Sequence, residues 1–454
     1  MVSLKSESEL VEARTLRGFR DLLPDVAMIK SAMLAKLRKV FESFGYVPIE
    51  TPHLEYAEVL LGQGGAEINK QIYRFRHGAG EDAAEMALRF DLTLPLARYA
   101  VQHRGEIGMP FKRYAIGEVF RGEKPQAGRY REFTQCDFDI VGADSVTADA
   151  ETAEVIAAAM QALGVTDFTI RLNNRKVMNG LAQSLGVLDR VPEILRIIDK
   201  LEKLGLDGVK ASLAGEVGLG AREAGKITEF IAISAFSSGQ ELFKKVAPYR
   251  ELNQNFSDGL DELEQLYWIL SALALDARTF RIDFSVARGL GYYTGTVYET
   301  YLHKLPQIGS VCSGGRYDDL TKSFSTENLP GVGASVGIDR LIAALKELGL
   351  GEALGTPAEV LFTVMNSEVA PLVHKTAWVL RRAGINVEVY PDPVKLKRQF
   401  EYANRKGHAF VVTIGPDEVK KGTLQLKNMK SGRQEELSSL EALIEDLKKE
   451  PIAE

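Results

Sequence analysis

The sequence predicts an α+β chain of more than one domain, and three observations carry that prediction. Strand signals cluster in two blocks, one over 88–141 and one running from RIDFSVA (281–287) through the Gly-dense CSGGRYDDL (312–320) and GVGASVGIDRLIAAL (331–345). Between them, from about 185 to 275, Leu-rich periodic runs broken by Gly read as an inserted helical module. Beyond 357, short apolar runs alternate with helical stretches, as in a small α/β domain. With 454 residues the chain is also too long for one hydrophobic core.

Taken in order, residues 26–44 show helical periodicity. Met33, Leu37, Val40, Phe41 and Phe44 share a stripe, and Gly45 is the expected stop. Pro48 and Pro52 bracket a short extended segment. LRFDLTLPLARY (88–99) reads as a short strand with Asp91 and Thr93 on one face. FKRYAIGEVFRGEKPQAGRYREFTQCDFDIVG (111–142) reads as a hairpin. Its returning strand alternates with period two, so Cys136, Phe138 and Ile140 share one face and Phe133, Gln135, Asp137 and Asp139 the other. A face with that many hydrogen-bonding groups is either an exposed edge or the floor of a polar pocket. Residues 150–163 read as a helix. Strand parity in RIDFSVAR puts Arg288 with Ile282, Phe284 and Val286, and it sends Tyr292 and Tyr293 to opposite sides, so that one of them faces the same pocket. GVGASVG leads into an amphipathic helix with Arg340 in its first turns. The Gly-rich GLGEALGTPAE marks a linker, placed at 346–356. After it come VLFTVM, a helix over 368–382, NVEVY, a helix over 394–406, AFVVTIG and a hairpin-like LQLKNMKSGRQEEL.

Composition narrows the function classes. The formal net charge is −6, so a generic polyanion binder is excluded and any nucleic acid must meet local basic faces. No apolar run approaches the ~20 residues of a membrane span, and MVSLKSESEL lacks the build of a signal peptide. Two cysteines, Cys136 and Cys312, without metal-ligand spacing fit a reducing cytoplasm and give no metal site.

Four segments carry chemistry. The hairpin brings Arg121, Glu123, Arg129 and Phe133 near one another. Guanidinium forks grip phosphate and a ring stacks on a base, although a solvated surface hairpin uses the same residue types. Asp91 and Thr93 can accept from an ammonium group, and a turn or cap device fits them as well. In ARGLGYYTGTVYET (287–300) a guanidinium on an apolar face must be paired or meet a ligand. The glycines there allow close backbone approach, and a salt-bridged arginine with a core tyrosine is the alternative. The Gly-rich strand running into a helix at Arg340 is an anion-site pattern.

Together these segments resemble the three motifs of class II aminoacyl-tRNA synthetases and, within that class, histidyl-tRNA synthetases. GFRDLLPD (18–25) is similar to that family's N-terminal signature, and FGYVPIETPHLE (44–55) to motif 1. VFRGEKPQAGRYREFTQ (119–135) resembles motif 2, and GVGASVGIDRL (331–341) motif 3. ARGLGYYTGTVYE and CSGGRYDDL resemble the two histidine-specific segments. The resemblance implies an antiparallel catalytic sheet flanked by helices over 1–345, with the helical insertion, and an anticodon-binding α/β domain over 357–454.

It further implies that Arg121 and Arg340 hold ATP phosphates, with Glu123, Arg129 and Phe133 around the adenine and triphosphate. Asp91, Thr93 and Gln135 would hold the histidine α-ammonium group. Asp139 and Tyr293, beside Tyr292, would read the imidazole, and Arg288 would contact the carboxylate and α-phosphate as the catalytic cation with Arg121. ATP, Mg²⁺, L-histidine and histidine tRNA are the implied partners, in a homodimer seated on motif 1. Gln126, Lys395, Arg398 and Arg405 are the candidate tRNA contacts. Gly291 stands where the family commonly has an acidic residue, which puts a local contact near Arg288 in question. The competing reading is a synthetase-like regulatory subunit of histidine biosynthesis, which lacks the anticodon domain.

Overall fold

The computed structural model describes residues 11–61, 69–76, 84–125, 128–233, 239–273, 275–276, 278–287, 291–349 and 355–449. Arg288 and Gln126 lie outside them. The chain divides into two compact units, one built on Ala32–Leu348 and the other on Gly349–Glu454, with Leu22–Ser31 assigned to the second.

The first unit has β1 (Val47–Pro48), β2 (Leu54–Tyr56), β3 (Arg74–Arg76), β4 (Glu85–Leu88), β5 (Phe111–Phe120), β6 (Glu132–Val141), β7 (Phe168–Asn174), β8 (Phe280–Ile282), β9 (Thr296–Leu302), β10 (Cys312–Tyr317) and β11 (Gly331–Gly337). Eight of these form one sheet in the order β1-β5-β6-β11-β10-β9-β7-β8. The inner pairs are antiparallel, and only β1 on β5 and β8 on β7 run parallel. β2, β4 and β3 make a small antiparallel sheet beside it.

β6 lies between β5 and β11, so its polar face is a pocket floor and not an exposed edge. The other face, with Cys136, Phe138 and Ile140, packs into the core, where Phe138 meets Phe41 and Tyr46. The N-terminal helix Pro24–Ser43 buries Met33, Leu37 and Phe41 and ends before Gly45, whose φ of 81° only glycine adopts freely. The helix Val146–Ala162 begins earlier than its periodicity suggests, because the Ser145 side chain caps it by accepting from the Thr147 N–H. The stretch between β7 and β8 is helical throughout its longer elements, from Arg175–Ser184 to Gln254–Ser271.

Three expectations fail locally. LRFDLTLPLARY is not a strand through Thr93: a helix runs from Thr93 to Gln102. Leu92, Leu94 and Leu96 give a period of two, and the helix accommodates it because its first turns are buried on every side, Thr93, Pro95 and Ala97 included; Asp91 Oδ1 caps the turn by accepting from the Leu94 N–H at 3.1 Å. The strand of RIDFSVAR stops at Ile282. Asp283 turns the chain by accepting from the Ser285 N–H and hydroxyl, so parity does not extend to Arg288. Tyr292 and Tyr293 lie in irregular chain before β9, and without a pleat to separate them both face the same pocket.

In the second unit, β12 (Val360–Phe362), β13 (Val387–Val389), β14 (Phe410–Thr413), β15 (Leu424–Asn428) and β16 (Gln434–Leu437) form a sheet in the order β13-β12-β14-β15-β16. Val360, Phe362, Val412, Leu380 and Leu443 are among its own core residues.

Candidate active site

Two cavities, of about 290 and about 330 Å³, lie over the polar face of the large sheet. Arg121, Arg129, Gln135, Tyr293, Ser313 and Ser335 line both, so the cavities adjoin.

The first cavity is lined by cations and a ring. Arg121 sits with its guanidinium 5.0 Å from the Phe133 ring and donates through Nε to the Phe90 carbonyl at 3.1 Å. Arg129 lies 3.9 Å from Glu123, a loose pair in which the cation stays available to an anion. Arg340 stands in the first turn of the helix Ile338–Glu347 and donates to the Ser310 carbonyl. Its neighbour Asp339 accepts from the Thr134 N–H at 2.8 Å and pairs with Arg20, whose guanidinium stacks 3.6 Å from the Tyr130 ring. GFRDLLPD thus ties motif 3 to the hairpin, a role its local sequence does not announce.

The second cavity is acidic. Asp91, Asp137 and Asp139 are all nearly fully buried. Burial pushes Asp91 up to about 6, against the opposing Leu94 N–H and Arg121. Burial pushes Asp137 up to about 7, against the charge of Arg113. Asp139 is also raised by burial and held back by Arg113, whose Nη2 lies 2.7 Å from Oδ2. The Tyr317 hydroxyl donates to Asp139 Oδ1 at 2.7 Å, and the Tyr292 hydroxyl points at Asp91 Oδ2 from 3.4 Å. Gln135 donates to the Ser335 hydroxyl at 3.0 Å. Burial and the three carboxylates push the Tyr293 phenol well up, so it stays a donor.

Close approach here depends on missing side chains. A Cβ on Gly333 would stand 2.2 Å from Asp139 Oδ1, and one on Gly315 would stand 2.8 Å from the Tyr293 ring. At Gly291 an added Cβ meets nothing within 4 Å.

The structure therefore gathers Asp91, Thr93, Arg121, Glu123, Arg129, Phe133, Gln135, Asp139, Tyr292, Tyr293 and Arg340 around two adjoining cavities. Lys395, Arg398 and Arg405 are exposed on the second unit. Sequence reasoning missed Arg113, Asp137, Tyr317 and Arg20 as site residues. Arg113 is legible only once β5 is registered on β6, which places it opposite Asp139. Asp137 shared the polar parity of β6 and could have been taken with its neighbours.

An antiparallel sheet carrying this pocket, with a separate α/β unit after it, defines a class II aminoacyl-tRNA synthetase. A family model described as histidyl-tRNA synthetase matches residues 18–341, and one described as anticodon binding domain matches 359–450. A histidine–tRNA ligase of Wolinella succinogenes is 53% identical over 441 residues, covering 97% of this chain and 99% of its own. One of Helicobacter pylori is 51% identical over 436 residues, covering 96% and 98%. The crystal structure of histidyl-tRNA synthetase from Nostoc superposes with a TM-score of 0.86 at 37% identity, covering 97% of this chain and all of that one. The chain belongs to the histidyl-tRNA synthetase family, and is an aminoacyl-tRNA ligase.

Proposed function

We propose that the acidic cavity binds histidine, the basic cavity binds ATP, and the reaction joins them where the two meet. The chain activates histidine to the adenylate with release of pyrophosphate, then transfers histidine to the 3′ end of histidine tRNA. The observation that carries the assignment is the shared wall: Arg121, Arg129 and Gln135 line both cavities, between three buried carboxylates and the Arg340 side.

The α-ammonium group sits at Asp91, Thr93 and Gln135. Its carboxylate is then directed toward Arg121 and the ATP α-phosphate. Two anions must meet there, and fixed guanidinium groups lower that barrier by position and electrostatics. Arg121 is fixed by Phe90 and Phe133, and Arg288 is the second cation we assign to this point by the family motif. Phe133 faces the adenine, while Glu123, Arg129 and Arg340 bracket the nucleotide. Tyr293 donates to one imidazole nitrogen, next to Asp139.

Mg²⁺ would arrive with the nucleotide and screen its phosphate charge. Among the described residues no group of three or more His, Cys, Asp or Glu forms a metal cage. Glu123 and Glu299, which line the basic cavity, suit a cation held mainly by phosphate oxygens.

We divide the chain into a catalytic domain at 1–345, a linker at 346–356 and an anticodon-binding domain at 357–454, with Gln126, Lys395, Arg398 and Arg405 toward the tRNA. A cavity of about 1040 Å³ bordered by Leu54, Tyr56, Val59, Met86 and Phe324 supports a homodimer seated on this side. Exposed Leu54 and Tyr56 favour the same seat. Among the described residues no helix is long and apolar enough to cross a membrane. Cys136 and Cys312 are buried and not joined in a disulfide, which fits the cytoplasm, where we place the chain.

Histidine-dependent ATP–pyrophosphate exchange tests the assignment. Tyr293→Phe should raise KM for histidine about 10-fold or more with KM for ATP near wild type, whereas Arg121→Ala should lower kcat by about 10²-fold or more. Exchange kinetics in Tyr293→Phe equal to wild type would remove that residue from the site.

A further inference from the structure

We propose that Asp137 is a specificity-determining residue for the amino acid, and that its Oδ1 accepts the imidazole N–H of histidine. The inference rests on the reading above, in which Asp91, Thr93 and Gln135 hold the α-ammonium group. An ammonium has three donors. The Asp91 carboxylate, the Thr93 hydroxyl and Gln135 Oε1 offer three acceptors, and Gln135 Oε1 is buried with no hydrogen-bond partner among the described residues. The imidazole N–H is then the substrate donor still to be placed.

Asp139 is the acceptor that the family motif suggests, but its Oδ1 already accepts a hydrogen bond and its Oδ2, which makes none among the described residues, is held in an ion pair. Tyr317 donates to Oδ1 at 2.7 Å, and the fully buried Arg113 stands 2.7 Å from Oδ2. Its charge is already met by a guanidinium. Asp137 is two residues away on the same face of β6, lines the same cavity and is 3% exposed. Its Oδ1 has no hydrogen-bond partner among the described residues. A buried carboxylate oxygen without a donor is unfavourable, and it persists most readily where a ligand brings the donor. Burial raises Asp137, while Arg113 and the Ser335 hydroxyl favour its charged form, so a bound N–H adds to groups that already support ionisation. In this arrangement Asp137 takes the N–H and Tyr293 donates to the other ring nitrogen. Asp139 is a positioning residue that fixes Arg113 and Tyr317 in the wall.

The test uses the full chain and the two thiazolylalanines, in which sulfur replaces one ring nitrogen or the other. Exchange is measured with each and with histidine. The wild-type chain should prefer histidine by about 10²-fold or more. Asp137→Val, close in volume and without an acceptor, should raise KM for histidine about 10- to 100-fold, leave KM for ATP unchanged, and collapse the preference over the thiazole whose remaining nitrogen accepts from Tyr293, since neither thiazole carries a ring N–H. Asp139→Asn should keep that preference even if KM rises. A wild-type preference retained by Asp137→Val, or lost only in Asp139→Asn, overturns the proposal. Should the Val variant not fold, a crystal structure of the wild-type chain with histidine decides it. An imidazole nitrogen at hydrogen-bond distance from Asp137 Oδ1 supports the assignment, and one placed on Asp139 with Asp137 elsewhere overturns it. Absence of exchange by the wild-type chain would fail the ligase assignment itself, an outcome distinct from a change in selectivity.

Discussion

Burial of three carboxylates in one cavity has a consequence for stability. Asp137 is pushed up to about 7 and Asp91 to about 6, both by desolvation, so the folded chain binds protons that the unfolded chain has released. Between about pH 4 and 7 the folded state holds the extra protons, and stability from these groups falls as pH rises through that window. Asp137→Asn removes one such group. Without substrate, the variant should melt above wild type at pH 8, and the gap should shrink at pH 5, where Asp137 is protonated anyway. Scanning calorimetry at the two pH values checks this, and an equal gap at both would count against a charged, destabilised Asp137. Gains in stability at the expense of substrate binding are a common exchange at functional sites. At this scale the sequence was informative wherever a local rule held. Period two on β6 put Gln135, Asp137 and Asp139 on one face. It misled at Tyr292 and Tyr293, because the irregular chain before β9 has no pleat. Gly291 stays the one departure without a contact: an acidic side chain there enters open space. Gly291→Asp should leave the melting temperature within about 1 °C of wild type, so a changed adenylation rate would report electrostatics at the reaction point.

Among the elements, the central sheet imposes its own requirement on sequence. β11 lies between β6 and β10, and the missing side chain at Gly333 is the space in which Asp139 sits. A Cβ there would also stand 2.4 Å from the Phe138 carbonyl, which belongs to the sheet backbone and cannot swing away. Gly333→Ala should therefore destabilise the catalytic unit by about 1–3 kcal/mol, as overpacking does, and raise KM for histidine. Denaturant melts together with exchange kinetics measure both, and a variant with wild-type stability and KM would refute the close-approach account. The hairpin of β5 and β6 and the α/β alternation after 357 were readable because their signals are local. Thr93–Gln102 was not, since leucines at alternate positions signal a strand and fit this helix only because it is buried on nearly every side. The helix Leu440–Lys449 is readable in retrospect from Leu440, Leu443, Ile444 and Leu447, the spacing of one helical face.

Across the whole molecule, net charge conceals the arrangement that matters for tRNA. The chain is acidic at −6, yet the helix Leu396–Lys406 of the second unit exposes Arg398 and Arg405, with Lys395 at its N-terminus. Half-buried rings lie among these cations: Arg405 is 5.8 Å and Lys406 5.2 Å from the Tyr402 ring, and Lys427 is 5.1 Å from Phe400. Cations for phosphates beside rings for unstacked bases suit single-stranded RNA. The lysines and arginines were visible in the sequence, and Tyr402 stands three and four residues before Arg405 and Lys406 on one helix, but the meeting of Lys427 with Phe400 depends on how β15 packs beside this helix. Because the two cavities proposed for the substrates are lined by residues of the first unit, the two steps of the reaction should separate by mutation. Replacing Arg398 and Arg405 together by Ala should lower kcat/KM for tRNA charging by about 10-fold and flatten its salt dependence by about one to two in log–log slope. Histidine-dependent pyrophosphate exchange, which needs no tRNA, should stay at the wild-type rate. Charging at full efficiency would place the RNA contacts on another face, and a matching fall in exchange would mean that the substitutions act through the catalytic unit and not through tRNA phosphates.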